Sequence, residues 1–306
     1  MNFENVKIEN IQVILPILEE KEITLHIKRE DKIHPVISGN KFRKLKYNIE
    51  EAVKSKKSGL LTFGGAYSNH IVATACAAYE NNLQSIGIIR GEELAFKWQD
   101  NPTLSQAVDF GMHLKFISRA EYRDKNLPFF KEKINADFPD YYVLPEGGTN
   151  QLAVKGCTEI LTKEDIVFDV VCCCVGTGGT ISGIINSAYE QQRVLGFPAL
   201  KGDFLKEDIC KFASNQRWGL QTKYNLGGYA KVTRELIEFI NWFKESTHIP
   251  LDPVYTSKMI FGILDMVKND AFVKGTRILA IHTGGLQGIK GMNKANEKKD
   301  LPMIDL

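Results

Sequence analysis

The sequence predicts an α/β protein with open, mostly parallel sheets flanked by helices. Three observations carry that expectation. A short apolar or β-branched run is followed again and again by Gly or Asn and then by a helical pattern. It occurs as GLLTFGG before SNHIVATACAAYENN, QSIGIIRG before NPTLSQAVDFG, YYVLPEGG before TNQLAVKGCTEIL, VVCCCVGTGG before TISGIINSAYEQ, and RILAIHTGG near the end. Such alternation is the signature of parallel strands joined by crossover helices. About ten strand candidates would make an unusually wide single sheet for 306 residues, so two sheets are expected. Finally, 43% hydrophobic and 25% charged residues are the balance of a globular chain with a sizeable core.

The length suits two domains of ordinary size, although no Pro/Ser/Gly linker or composition shift marks a boundary. A formal charge of +2 is too near zero to argue for nucleic acid or an anionic membrane as partner. No apolar run reaches the roughly 18 to 20 residues of a membrane helix. The start, MNFENVKIENIQ, lacks the basic and apolar regions of a secretory signal, so a cytoplasmic setting is expected. Six cysteines fall at 76, 157, 172, 173, 174 and 210. The triplet Cys172-Cys173-Cys174 lies inside the apolar run VFDVVCCCVG without CxxC spacing, which predicts a buried strand.

In open α/β sheets ligands bind at the carboxyl ends of strands, and four stretches there could carry chemistry. The first is SGNKFRKLKYNIEEAVKS, residues 38–55. Asn40 is placed as helix N-cap, with Leu45, Ile49 and Val53 on one apolar face. Lys41 then lies in the first turn, against the helix dipole and beside Lys44 and Arg43. A lysine crowded by cations loses its proton more readily and becomes a better nucleophile. The alternative is a solvated basic helix start. In FGGAYSNHIVATACAA, residues 63–78, a strand ends at Gly64-Gly65 and a helix opens at Ser68 or Asn69. Ser68 can bind a carboxylate or simply cap the helix; Asn69 can hold a phenolic oxygen; His70 is open between structural and supporting roles. In CVGTGGTISGI, Gly176, Gly178 and Gly179 admit close backbone approach while Thr177 and Thr180 add hydroxyls. That combination is a cup for one phosphate at a helix start; it lacks the Lys of a P-loop and a ribose-binding acid downstream. In the fourth, Tyr255 and Thr256 precede a helix and Thr283 ends an apolar strand before Gly284-Gly285.

Taken together, GNKFRKL, GGAYSNH, EGGTN, GTGGTISG, LDPVYTSKMIFGI and IHTGG resemble, in order and over nearly the whole chain, one family of pyridoxal-phosphate enzymes. It is the 1-aminocyclopropane-1-carboxylate deaminase and D-cysteine desulfhydrase family, of the tryptophan-synthase-β (type II) fold. The resemblance implies two open, twisted, mostly parallel sheets, with residues 1–44 and 156–306 as a large cofactor-binding domain and 45–155 as a small one. It implies pyridoxal 5′-phosphate held as a Schiff base on Lys41, with Lys44 as a neighbouring cation. Asn69 is then similar to the residue bonding the ring hydroxyl, and Ser68 to the family's substrate-facing serine. Gly176, Thr177, Gly178, Gly179 and Thr180 resemble the phosphate loop. Tyr255 and Tyr229 match tyrosines near the substrate, and Thr283 looks like a hydroxyl partner for the ring nitrogen. A small amino-acid substrate and a homodimer are implied as well.

One position departs from the pattern. Ring-opening deaminases resemble one another in carrying Glu after the tyrosine of DPVY, where this chain has Thr256. A carboxylate keeps the pyridine nitrogen protonated, whereas the hydroxyls of Thr256 and Thr283 hold it less firmly. The expectation is therefore α,β-elimination from D-cysteine to pyruvate, ammonia and hydrogen sulfide, with the ring-opening deaminase as the alternative. Two readings from other classes are a nucleotide-binding oxidoreductase, disfavoured by the missing ribose acid, and a catalytically silent relative, disfavoured by Lys41, Ser68 and Asn69.

Overall fold

Ten strands pair into two separate sheets in the computed structural model, which describes residues 7–202 and 204–305. They are β1 (Asn10–Val13), β2 (Thr24–Lys28), β3 (Gly59–Gly64), β4 (Gln84–Arg90), β5 (Met112–Ile117), β6 (Tyr141–Val143), β7 (Val170–Val175), β8 (Arg193–Pro198), β9 (Trp218–Leu220) and β10 (Arg277–Ile281). The larger sheet has the order β1-β2-β10-β7-β8-β9, and the smaller β5-β4-β3-β6. Only the β1–β2 pair among them is antiparallel. The α/β class and the two sheets are as the sequence predicts.

Strand β7 shows why the apolar runs are strands buried on both faces. Its Cys172 and Cys174 join Ile278 and Ala280 of β10 in one core cluster. Val171, Cys173 and Val175 alternate into the opposite cluster with Leu279 and Ile281. The cysteine triplet therefore packs as small apolar residues, and its thiols are free.

The helix Asn40–Lys54 buries Phe42, Leu45 and Ile49 in one cluster with Leu60 of β3 and Ala73 and Ala77 of the helix Asn69–Glu80. Two local expectations are corrected here. The N-cap is Gly39, not Asn40, whose side chain is used elsewhere. Val53, placed on the apolar face by spacing, is 54% exposed, because each step of four residues turns about 40° off the face and Ala52 takes the buried position in the last turn.

Three buried cations on or near this helix are paired. Arg43 meets Glu30 at 2.8 Å, Arg29 meets Asp31 at 2.6 Å, and Lys28 meets Asp165 at 2.8 Å. Arg43 is thus turned toward Glu30 and does not serve as the second cation beside Lys41 that sequence proximity suggests.

Candidate active site

The Asn40 helix starts where β10 ends. A Cβ on Gly39 would lie 2.0 Å from the Thr283 carbonyl oxygen, and the residue has φ +61°, so this contact admits only glycine. The Asn40 backbone N–H donates to that same carbonyl at 3.3 Å. Its side chain donates to Thr180 Oγ1 at 2.7 Å, tying this helix start to that of the helix Gly179–Ser187.

Lys41 and Lys44, one turn apart, converge on a single acceptor. Their Nζ atoms donate to the Gly147 carbonyl at 3.4 and 3.0 Å. Lys44 also donates to Thr149 Oγ1 at 2.9 Å and to Thr177 Oγ1 at 3.4 Å, and those two hydroxyls bond each other at 2.6 Å. No carboxylate lies within ion-pair distance of either lysine among the described residues. Burial first, and the charge of Lys44 second, push the Lys41 pKa down to about 7. Burial lowers that of Lys44 too. An amine close to half-neutral at physiological pH is what nucleophilic attack on a carbonyl needs.

Gly147 and Gly148, in the turn after β6, both have left-handed backbones, φ 68° and 70°. A Cβ on Gly147 would come within 2.9 Å of Thr177, and one on Gly148 within 2.7 Å of His70 Cε1. His70 is buried with both ring nitrogens unpartnered, and burial with the nearby Lys41 and Lys44 charges holds its pKa well below the usual range. It is a neutral imidazole beside the lysines.

The cup lies opposite. β7 runs into Gly176 and Thr177, then Gly178 caps the helix Gly179–Ser187 in a left-handed conformation, φ 81°. A Cβ on Gly179 would meet Thr149 at 2.8 Å, so the loop and the Thr149 turn form two walls of one space. The helix start offers free N–H groups, Thr177 and Thr149 offer hydroxyls, and Lys44 offers its amine, whose charge a bound anion would favour: a site for a phosphate dianion.

Ser68 stands at the N-cap of the helix Asn69–Glu80, yet its side chain makes no capping bond. Asn69 Nδ2 faces the turn after Thr283, 3.3 Å from the position of a Cβ on Gly285. Thr283 Oγ1 lies 2.9 Å from Cys174 Sγ. Tyr255 reaches Gly176, whose Cβ position is 3.4 Å from the Tyr255 hydroxyl, and its ring packs edge-on against Tyr229 at 6.1 Å. Burial holds the pKa of Tyr255 well above its usual value, and desolvation raises that of the half-exposed Tyr229, so both are neutral O–H donors at neutral pH. The structure thus gathers Lys41, Lys44, the Gly176–Thr180 loop, Tyr255, Tyr229, Ser68, Asn69 and Thr283 around the facing ends of the two sheets.

Thr256 behaves differently from the expectation. Its hydroxyl donates to Asp252 Oδ1 at 2.7 Å and accepts from the Asp252 N–H at 2.9 Å. The Asp252 carboxylate also accepts from the backbone N–H groups of Val254, Tyr255 and Thr256. Thr256 is therefore spent on a buried clamp that fixes Tyr255. Lys258 holds Tyr229 in a related way, donating to the carbonyls of Asn225 and Gly228 at 2.8 and 2.7 Å. Sequence reading gives no place in the site to Asn40, Thr149, Asp252, Lys258 or Cys174. The one available signal was EGGTN itself, a strand-Gly-Gly-helix step like those that were assigned.

The fold and these donors fit a cofactor that brings a phosphate and a lysine-reactive carbonyl together. The chain belongs to the pyridoxal-phosphate dependent enzyme family, which it matches over residues 11–284. It is 33% identical to the mitochondrial bifunctional D-cysteine desulfhydrase/1-aminocyclopropane-1-carboxylate deaminase of Arabidopsis thaliana, over 87% of this chain and 73% of that one. It is 27% identical to a D-cysteine desulfhydrase of Yersinia pestis, over 85% and 86% of the two chains. Among solved structures, a homologue of ACC deaminase superposes with TM-score 0.77 at 25% identity, covering 94% of this chain and 92% of that one.

Proposed function

We propose that this enzyme eliminates the β-substituent of a small amino acid, with D-cysteine and water giving pyruvate, ammonia and hydrogen sulfide. The observation that carries the reading is Lys41, an uncompensated amine with its pKa near 7, set beside a phosphate cup. Lys41 would carry the cofactor, and Gly176, Thr177, Gly178, Gly179, Thr180 and Lys44 would hold its phosphate. Asn69 would donate to the ring oxygen and Thr283 would meet the ring nitrogen. Bound pyridoxal phosphate supplies the electron sink that lets a Cα–H bond ionise.

The chain's own groups do the rest. Ser68 and the N–H groups opening the Asn69 helix receive the substrate carboxylate. The Lys41 amine, partly neutral at pH 7, can take the Cα proton. The Tyr255 and Tyr229 hydroxyls, both protonated at neutral pH, flank the leaving side and can give a proton to the departing thiolate. The choice of elimination over ring opening rests on Thr256. Where ring-opening enzymes carry Glu, this chain has a hydroxyl locked to Asp252, so Thr283 alone meets the ring nitrogen in this reading. The reading also keeps residues 1–44 with 156–306 and residues 45–155 as two domains, and a cytoplasmic homodimer as the working form. No helix among the described residues is long and apolar enough to cross a membrane.

The test is a substrate panel on the holoenzyme, scored by keto acid. D-cysteine and β-chloro-D-alanine should yield pyruvate, with little 2-oxobutyrate from 1-aminocyclopropane-1-carboxylate. Equal rates on D-cysteine and the cyclopropane would make the deaminase the better reading. No keto acid from any of them would leave the silent relative.

A further inference from the structure

Arg90 ends β4 on the small-sheet wall of the same cleft, and nothing above uses it. Its Nη2 lies 3.4 Å from the Cβ position of Gly65, so the guanidinium stands over the Gly64-Gly65 corner that leads into Ser68. A Cβ on Gly64 would in turn sit 2.9 Å from Ser68 Oγ, so the corner has the serine on one side and the arginine on the other. Arg90 Cζ is 5.7 Å from the centroid of the Tyr122 ring. That ring is fixed, because Tyr122 donates to Glu146 Oε1 at 2.8 Å and Lys125 Nζ lies over the ring, 4.6 Å from its centroid. Glu146 directly precedes Gly147, the shared acceptor of Lys41 and Lys44. From the opposite wall, the Tyr229 hydroxyl feels the charges of both Arg90 and Glu146.

The charges at this rim do not cancel. Glu146 is answered by Lys125, 3.1 Å away. Arg90 makes no side-chain hydrogen bond and no ion pair with any described residue. The result is an exposed guanidinium fork whose donors no described residue takes, lying over the Tyr122 ring at the rim beside Gly65. That geometry suits an oxyanion held by two parallel N–H···O bonds.

We propose that Arg90 is a specificity residue that binds an oxyanion carried on the β-substituent of the substrate. This rests on the lyase reading above. Ser68 and the Asn69 helix take the α-carboxylate, and Arg90 lies across the corner from them, toward Tyr229. The preferred substrates are then β-substituted amino acids with a second negative charge on the leaving side. Small neutral ones such as D-cysteine are accommodated without that contact.

The test uses the holoenzyme and calorimetric titration with aspartate and alanine, each as both enantiomers. Aspartate places a carboxylate on Cβ with no thiol to lose, and alanine lacks it. For one enantiomer, aspartate should bind about tenfold or more tightly than alanine, the size expected of a charge-assisted pair. Arg90→Gln should bring that ratio close to one, while Arg90→Lys keeps part of it; the bound-cofactor absorbance reports that each variant is folded. An aspartate-to-alanine ratio unchanged in Arg90→Gln, or already near one in the wild type, overturns the proposal. Keto-acid release from D-cysteine is measured on the same preparations. Its absence with an Arg90-dependent ratio would overturn the lyase reading and leave the oxyanion site standing. Its presence with an Arg90-independent ratio would do the reverse.

Discussion

Two groups of buried cations lie within a few residues of each other on one stretch of chain, and they are treated in opposite ways. Lys28, Arg29 and Arg43 are each matched to a carboxylate, Asp165, Asp31 and Glu30 respectively. Lys41 and Lys44 have only a carbonyl and hydroxyls. The matched group serves the packing, tying β2 to the turn before β7 and the 30–32 turn to the Asn40 helix. The unmatched pair holds a proton loosely and leaves its charge for a ligand. A cation buried without a counter-ion is costly unless something else answers it, and here that something is an anionic, carbonyl-bearing cofactor.

The sharpest way to break this comparison is to remove one member of each group. Lys41→Met should lower turnover roughly a thousandfold or more, about 4 kcal/mol of barrier. It should leave the melting temperature of the cofactor-free protein unchanged or raised, since it deletes an unpaired charge. Glu30→Ala should do the opposite, costing about 3 kcal/mol of stability in denaturant unfolding because Arg43 loses both its hydrogen bonds to Glu30 and keeps only the longer contact with Glu159, 3.8 Å away. If both substitutions destabilise alike, the distinction between the two groups fails.

Much of this was legible in the sequence, and what was not has a common cause. Lys41 follows Gly39 with no strand just before it and is legible only through the family pattern of GNKFRKL. The Gly176–Thr180 loop and Ser68-Asn69 sit in short strand-Gly-helix steps, where local spacing brings backbone donors to a strand end. The β7 cysteines could be read for the same reason, because a run buried on both faces needs no knowledge of its partners. Partners distant in sequence could not be read. Lys44 meets Gly147 across 103 residues, and Asn40 meets Thr180 across 140. Arg43 was misread because its charge was visible and its counter-ion, 13 residues back in another element, was not. Thr256 was read as facing the cofactor because its position beside Tyr255 carried the family pattern, while the Asp252 clamp depends on how the turn closes.

Smaller effects sharpen the account at individual groups. Thr256→Val removes a donor to Asp252 and an acceptor for its N–H, and should cost about 1–3 kcal/mol of stability. It should lower turnover through Tyr255 while the cofactor stays bound; loss of cofactor would place Thr256 at the ring after all. Ser68→Ala should keep the bound-cofactor absorbance and lower turnover about tenfold, ~1.4 kcal/mol. Loss of absorbance along with activity would make the serine structural.

The pH dependence follows from Lys41. Its folded pKa of about 7 lies below the ordinary 10.5, so between those values the unfolded chain binds the extra proton. For the cofactor-free protein this residue therefore makes stability rise with pH across that window. The rate of cofactor uptake should rise with pH as well, with a midpoint of about 7, as the amine loses its proton. A midpoint near the ordinary lysine value would mean that Lys41 is not perturbed.

The most direct measurement is borohydride reduction of the yellow holoenzyme followed by peptide mapping. The account predicts a single stable cofactor adduct on Lys41, absent from Lys41→Met. An adduct on Lys44, or on any other lysine, would contradict it.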